Sequence, residues 1–467
     1  MESVHIVVLA AGKGTRMRSA TPKVLHRLSG LPLIDHVLRA AATLSPATTT
    51  VVVGHEADLL RAHLDTWPGV RTVLQEPQLG TGHALLMAEP VLTGESGTVV
   101  MLSGDVPLLS PASLGALVER HRNSGATATV VTAMVERPSG YGRILRTGGD
   151  IARIVEERDA SPDEREIKEI NAGIYAFELD ALFESLRSIG AENAQQEYYL
   201  PDLVSIYRRQ RKVVTTWTIS NAAEIRGINS RSELAEVGRI MRQQKHEELM
   251  AAGVTLVDPA TTYIDVDVHV GADTVIHPGV HLEGSTRIGT ACEIHAGSRL
   301  VNADLGDRVV ILNHCVITNS TVDSECSVGP FAHFRPDAVL GQGARVGNFV
   351  ELKKTTLGPG AKANHLADLG DTVVGENSNV GAGTITCNYD GAKKHPTVIG
   401  RGAFVGSNST LVAPITIGDG AYVAAGSAIT EDVPSDALAI GRSRQENKPE
   451  WAAKRRAAQS TKRKPAS

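Results

Sequence analysis

The residue types that chemistry needs gather at a few places along this chain. One is Ala10-Ala-Gly-Lys-Gly-Thr-Arg-Met17, a turn in which Gly12 and Gly14 let the backbone approach an anion. Lys13, Arg16 and, after Pro22, Lys23 can add charge-assisted bonds. The spacing fits neither common nucleotide motif: Met17 stands where G-x-G-x-x-G needs its third glycine, and no G-K-[ST] follows. Taken alone, the turn is a phosphate cradle or only a tight loop. A second place is Leu102-Ser-Gly-Asp105, where a carboxylate directly after a strand suits Mg²⁺, which takes a few hard oxygens plus substrate phosphates. A turn aspartate capping the next helix is the alternative. Far downstream, Arg335, Lys353 and Lys354 put positive charge into an otherwise small and neutral pattern, suiting an anionic ligand or a solvated face. His365 in the same stretch is either structural or a base near neutral pH.

The first two places need strand ends. The β-branched run at 5–9 reads as a buried parallel strand that empties into the glycine-rich turn. Strand and helix signals then alternate: 49–53 (strand), 57–64 (helix), 70–75 (strand), 83–89 (helix) and 98–102 (strand). That rhythm predicts a doubly wound, Rossmann-like α/β domain whose ligands sit beyond the carboxyl ends of the strands. Ser230-Arg-Ser-Glu233 is a capping box, and the helix-prone run behind it ends at Gly253. A linker helix over 230–252 is expected.

Beyond Gly253 an aliphatic residue recurs at every sixth position. Val270, Ile276, Leu282, Ile288, Ile294 and Leu300 start the series; Leu305, Ile311, Ile317, Val328, Phe334, Leu340, Val346, Leu352, Leu357, Ala363 and Leu369 carry it on. A polar insertion at 386–398 interrupts it before Ile399, Val405, Leu411, Ile417, Val423 and Ile429. A fixed short period means a solenoid, because one repeat cannot bury its apolar face until neighbours stack on it. Three six-residue rungs make a triangular turn of about eighteen residues, so some nine turns at ~4.8 Å each give a prism roughly 40 Å long. The insertion costs this prism a regular corner, which marks it for function.

At 467 residues, 42% hydrophobic and with a net charge of −5, the chain has room for two or three domains and no global basic field for nucleic acid. No signal-peptide pattern and no apolar run of about 20 residues is present, so a cytoplasmic protein without a membrane partner is expected. Cys292, Cys315, Cys326 and Cys387 form no C-x-x-C pair and read as reduced, structural residues. The tail, with Lys454, Arg455, Arg456, Lys462, Arg463 and Lys464, is basic and poor in apolar residues, so disorder is expected over 443–467.

Leu9-Ala-Ala-Gly-Lys-Gly-Thr-Arg-Met17 with Pro22-Lys23 resembles the signature of sugar-nucleotide pyrophosphorylases. Gly80-Thr-Gly-His-Ala84, Tyr141-Gly-Arg143, Val155-Glu156 and Glu169-Ile-Asn171-Ala-Gly173 follow in the order seen in the branch that makes UDP-N-acetylglucosamine. With the hexad region behind them, residues 4–442 resemble the bacterial bifunctional enzyme that is both glucosamine-1-phosphate N-acetyltransferase and N-acetylglucosamine-1-phosphate uridylyltransferase. That resemblance implies a pyrophosphorylase domain over 1–229, the linker helix, and a left-handed parallel β-helix over 253–442. It also implies a role in supplying peptidoglycan and lipopolysaccharide precursors.

For the uridylyltransferase, the resemblance implies UTP as co-substrate, with Arg16 and Lys23 neutralising charge. Leu9, Ala10, Ala11, Gly12, Ser103 and Gly104 would line the nucleotide. Gln75, Gly80 and Thr81 would read the uracil, while Gly142, Glu156 and Asn171 would hold the sugar. Asp105 and Asn229 would bind Mg²⁺. For the acetyltransferase it implies acetyl-CoA as donor, His365 as general base and Asn388 as an orienting or oxyanion group. Arg335, Lys353, Asp368, Asn379 and Tyr389 would bind the acceptor; Ala382, Asn388, Tyr389, Ser407, Ala425 and Arg442 would lie along acetyl-CoA. A homotrimer with acetyltransfer sites between adjacent prisms is implied as well.

Two positions depart from the family pattern. Pro201 replaces a Thr expected in several relatives, and His365-Leu-Ala-Asp368 stands where His-Leu-Thr-Tyr is expected. An anion at 368 should repel a sugar phosphate. Competing readings are a monofunctional nucleotidyltransferase with a regulatory or oligomerising β-helix, and a non-catalytic assembly subunit. His365 with Asn388-Tyr389 argues against the first, and the intact Gly12–Arg16 run, Lys23, Asp105 and Asn229 against the second.

Overall fold

The computed structural model describes residues 2–461 and divides into two compact units, 1–245 and 246–467. Its first strand, β1 (Val4–Leu9), has residues 4–8 buried. Val4, Ile6 and Val8 enter one hydrophobic core while Val7 enters another, so both faces of the strand are covered. That is why the run shows no polar alternation. Each such side chain fully buried contributes roughly 1.5–3 kcal/mol.

Four more elements follow the alternation read from the sequence. They are β2 (Thr48–Val53), β3 (Val70–Leu74), β4 (Thr98–Ser103) and the intervening helix Ala57–Leu64. The helix expected over 83–89 starts earlier, as Thr81–Leu86, with a separate turn at Glu89–Leu92. β5 (Ala128–Met134), the hairpin β6 (Arg143–Thr147) and β7 (Asp150–Val155), β8 (Glu169–Glu178) and β9 (Val214–Thr218) complete one sheet. Its order is β9-β5-β8-β4-β1-β2-β3, with the hairpin attached to β8. β1 pairs in parallel with β2 on one side and β4 on the other, whereas β8 is antiparallel to both its neighbours. The chain therefore leaves β1 in both directions, and a crevice opens beyond the carboxyl ends of β1 and β4.

Helix Arg231–Ala251 begins where the capping box predicts. Ser230 Oγ accepts from Glu233 N at 3.3 Å, but the Glu233 carboxylate accepts from the N–H of Asn229 at 2.6 Å, one residue before the cap. The boundary between the two units falls inside this helix.

The second unit is a left-handed β-helix of three parallel sheets with 11, 10 and 9 strands. The hexad markers from Ile276 to Ile429 are buried in one continuous core, while Val270 packs against it half-buried. Val322, which falls in a break of the sequence series, is also fully buried. Markers three rungs apart stack in register on successive turns, as in Ile276↔Ile294 and Ile294↔Ile311, the second pair spanning one of the shortened steps. The insertion lengthens one coil, so that Val380 pairs with Val405 and Val374 with Ile399.

All four cysteines are free, and burial pushes the Cys315 and Cys326 thiols up to about 11. Within the tail, Trp451–Thr461 is helical, with the Arg455 guanidinium over the Trp451 ring. Lys462, Arg463 and Lys464 lie outside the described residues.

Candidate active sites

In the first unit the crevice is a cleft of about 530 Å³ lined by Leu9, Ala10, Ala11, Gly12, Lys23, Gln75, Gly80, Thr81, Ser103 and Asp105. The local backbone fixes the cradle. Ala10 N donates to Val52 O and His55 N to Ala11 O, so the turn is tied to β2. A Cβ on Gly12 would meet nothing within 4 Å, leaving that backbone open, whereas a Cβ on Gly14 would press on Lys23 Cβ at 2.8 Å. Gly14, at φ +57°, is thus the residue that lets the base of Lys23 lie against the turn.

Lys23 Nζ donates to Asp105 Oδ2 and, at 3.1 Å, to Asn229 Oδ1. Three residues spread over the whole unit converge there. Asp105 follows β4, and Asn229 is held by the Glu233 carboxylate at the helix start. Two hard oxygens already aimed at one cation, the Lys23 ammonium, are of the kind Mg²⁺ takes. Asp105 and Asn229 would hold that ion.

Gln75 donates to Gly80 O at 3.0 Å and lies 3.1 Å from His83 Nδ1. Gly80, at φ +103°, sits so close to the Tyr198 backbone and the Glu197 Cβ that any Cβ would strike them at 2.8–2.9 Å. Thr81 Oγ1 accepts from Leu200 N at 3.1 Å. The strand-end loop is therefore clamped by the segment leading to Pro201, and Glu197 lines the cleft. Gly142, Glu156 and Asn171 meet one another: Asn171 N donates to Gly142 O at 2.8 Å, and a Cβ on Gly142 would lie 3.1 Å from Glu156 Oε1. Burial, with the Asp202 and Asp159 charges, raises the Glu156 carboxyl above its ordinary value. These three do not line the cleft itself. Gly104 is buried and its N–H donates to Leu9 O at 2.9 Å, and Arg16 is exposed on the short turn Thr15–Met17 beside the cleft. Sequence reasoning missed Gln78, a lining residue three places after Gln75 in the same strand-end run.

In the β-helix the candidate residues stack in columns. His365 ends the strand Lys362–His365, and its register partner on the preceding turn is Asn348. His365 Nδ1 lies 2.6 Å from Asn348 Oδ1. An amide oxygen only accepts, so this contact assigns the proton to Nδ1 and leaves Nε2 as the basic nitrogen. Asn348 was missed, although it stands one full turn of the solenoid before His365. The same column continues upward. Asn408 N donates to Ala382 O, Gly426 N donates to Ser407 O, and a Cβ on Gly426 would lie 3.7 Å from Arg442 Cδ. Ala382, Ser407 and Ala425 thus form a row of small residues above His365, with Arg442 near its end.

One strand further along each turn, the acceptor candidates form a charged patch. Arg335 Nη1 donates to Glu351 Oε1 at 3.1 Å, and Glu351 pairs in register with Asp368. Burial and the Glu351 charge push the Asp368 carboxyl up, with Arg335 opposing them. Lys353 is held below its ordinary value by the neighbouring Lys394 ammonium and by Arg335. Lys394 lies in the insertion, and the fold brings it to this patch. Asn388 Nδ2 donates to Asp371 Oδ2 at 2.6 Å, and a Cβ on Gly370 would collide with that amide. Asn379 sits half-buried on its strand, pairing with Lys362.

The insertion is ordered by its own contacts. Tyr389 bridges to Lys394, Tyr389 Oη donates to Gly391 O at 2.6 Å, and Asp390 Oδ1 accepts from Ala392 N and Lys393 N at 2.7 Å. Those backbone donors, with His395, hold the Asp390 carboxyl well below the usual range.

Comparison with known proteins gives two family matches: a MobA-like NTP transferase domain over residues 6–176 and the hexapeptide repeat of succinyl-transferase over 396–431. Over nearly its full length the chain is also similar to proteins named bifunctional protein GlmU. It is 46% identical to that of Pelobacter propionicus over 97% of this chain and 98% of the relative. For Trichlorobacter lovleyi the values are 48%, 96% and 98%, and for Heliobacterium modesticaldum 48%, 94% and 95%.

Proposed function

The chain belongs to the bifunctional GlmU family, a nucleotidyltransferase joined to a hexapeptide-repeat acetyltransferase, and we propose how its residues divide the two reactions of UDP-N-acetylglucosamine synthesis. The β-helix unit acetylates glucosamine-1-phosphate from acetyl-CoA. The sheet unit then transfers uridylyl from UTP to the N-acetylglucosamine-1-phosphate formed.

In the acetyl transfer, the acceptor amine attacks the thioester carbonyl, His365 Nε2 takes the amine proton, and the C–S bond breaks to give CoA thiol. Arg335, Lys353 and Lys394 bind the acceptor phosphate, with Asn379 and Tyr389 beside it. The small side chains of Ala382, Ser407 and Ala425 make room for the donor, and Asn388 orients the acyl group. His365 and the cationic patch stand on successive strand columns of an open wall, which supports a homotrimer in which a neighbouring prism completes each site. The observation that carries this reading is the 2.6 Å contact that fixes His365 with Nε2 free.

In the uridylyl transfer, a phosphate oxygen of the sugar attacks the α-phosphorus of UTP and the α–β bridging bond breaks, releasing pyrophosphate. Both reactants are anions, so charge neutralisation and in-line positioning dominate. Mg²⁺ on Asp105 and Asn229 supplies part of that neutralisation when bound. Lys23 and Arg16 add the rest, the backbone of Leu9–Gly12 and Ser103 cradle the nucleotide, and Gln75, Gly80 and Thr81 read the uracil. Gly142, Glu156 and Asn171 hold the N-acetyl sugar. Among the described residues no helix is long and apolar enough to cross a membrane. The cytoplasmic location we assign rests on the water-soluble substrates of both reactions.

The test supplies glucosamine-1-phosphate, acetyl-CoA, UTP and Mg²⁺ and follows CoA thiol and UDP-N-acetylglucosamine. His365→Ala should cut thiol release by about 10²–10⁴-fold while leaving uridylyl transfer from supplied N-acetylglucosamine-1-phosphate intact. Lys23→Ala should do the reverse, costing about 10²–10³-fold. Loss of both activities in either variant would refute separate sites.

A further inference from the structure

An early part of the solenoid carries a cluster that neither reaction uses. Strands Val275–Ile276 and Glu293–Ile294 pair in parallel register, and His277 and His295 each follow one of them. The imidazoles stack one turn apart, with centroids 4.7 Å apart and planes within 10°. Glu293 Oε1 lies 3.1 Å from His277 Nε2 and 3.3 Å from His295 Nε2. Among the described residues this is the only His/Cys/Asp/Glu trio whose ligand atoms all lie within 4.8 Å of one another. All three side chains are reachable from solvent, at 29%, 24% and 46% exposure.

Stacked rings by themselves follow from parallel register, as Tyr263 and His281 demonstrate on another face. What separates His277 and His295 is that both Nε2 atoms turn to one carboxylate oxygen. Ligands held about 2.0–2.1 Å from a tetrahedral ion lie about 3.3–3.4 Å from each other. Both N···O separations are already near that length, and an ion would be admitted once the near-parallel rings turn out of their stack so that both in-plane Nε2 lone pairs meet it. Two imidazoles and a carboxylate suit Zn²⁺ and its neighbours, not Mg²⁺ or Ca²⁺, which call for oxygen alone. In the same column the turns on either side offer Val257 and Leu312, which cannot ligate. The donor set is therefore closed at three, with a fourth position open to water.

We propose that His277, Glu293 and His295 form a surface Zn²⁺ site that clamps two adjacent turns near the start of the β-helix. Turns near a solenoid's end have fewer neighbours to hold them. An ion that binds only the folded pair stabilises it by mass action.

The full-length enzyme, stripped with chelator and kept in excess Mg²⁺ to occupy the uridylyltransferase site, is titrated with Zn²⁺ by calorimetry and with Co²⁺ by visible absorption. We expect one equivalent of Zn²⁺ per chain, a tetrahedral-type Co²⁺ spectrum, and a thermal transition that rises with Zn²⁺. His295→Ala and Glu293→Gln should each weaken binding by at least about 100-fold, whereas His281→Ala should leave it unchanged. Unaltered acetyl and uridylyl transfer in these variants verifies that they are folded. Equal Zn²⁺ uptake by the wild type and the His277→Ala/His295→Ala double variant, or no uptake by the wild type at millimolar Zn²⁺, would overturn the proposal.

Discussion

The two transfer sites are assembled in opposite ways. In the sheet unit, Lys23, Asp105 and Asn229 come from three distant parts of the chain and meet at one ion-sized point, each anchored by a different element. In the β-helix, Asn348 and His365, or Glu351 and Asp368, are register partners that meet because one turn lies on the next. The first arrangement buries its machinery in a cleft. The second spreads it along an exposed wall, which on the reading proposed above a neighbouring prism completes. Glycines serve different ends in the two regions: Gly12 leaves space for a ligand, while Gly347 leaves space for the neighbouring turn.

That last contrast gives the largest expected effect. A Cβ on Gly347 would overlap the Asn364 carbonyl oxygen, which is backbone and cannot swing away. Gly347→Val should cost at least about 3 kcal/mol of β-helix stability in denaturant unfolding, and acetyl transfer should fall with it. Gly12→Ala should change stability by no more than about 0.5 kcal/mol yet raise the KM for UTP. Equal destabilisation by the two would erase the distinction. Next in size is Asn348→Ala, which frees His365 to take the wrong tautomer or orientation. It should lower kcat of acetyl transfer by about 10–100-fold with little change in KM, and uridylyl transfer should be untouched. A smaller effect is expected from Lys394→Ala, which removes one cation of three from the patch: the KM for glucosamine-1-phosphate should rise about 5–10-fold at nearly constant kcat.

The same difference decides what could be read from the sequence. Periodicity revealed the solenoid almost completely, because a buried marker every sixth residue is a direct print of the fold; Val322, hidden by changes of step, escaped, as did Ile264 and Val374. It could also have exposed Asn348, which stands one turn length before His365, but a lone Asn carries no chemical signal until His365 is placed beside it. In the sheet unit the strand ends were legible from the runs at 5–9 and 98–102. That Lys23 lies on Asp105 and Asn229 was not, because no spacing relates residues 82 and 206 positions apart. The tail was legible only in part. Composition gave 443–467 little reason to pack, yet the alanine-rich stretch around Trp451 has high local helix propensity and forms Trp451–Thr461.

The smallest effect concerns Asp368, where the stacked columns and the expected chemistry oppose each other. Its carboxylate adjoins Glu351 on the turn below and shares the neighbourhood of Arg335, so the patch pairs acids with the cations meant for a phosphate. Burial and Glu351 raise the Asp368 pKa. The charge therefore persists above that raised value, and protonation begins at a higher pH than for an ordinary carboxyl. Acidification through this range removes an anion from the patch, so the KM for glucosamine-1-phosphate should fall as pH drops, beyond any change shared with an Asp368→Asn variant, whose side chain does not titrate. Asp368→Tyr should lower that KM a few-fold (about 1 kcal/mol or less) at neutral pH and abolish the difference between the two pH profiles. An unchanged or higher KM in Asp368→Tyr would mean that Arg335 and Glu351 already neutralise the aspartate, making the patch a balanced network instead of a weakened phosphate site.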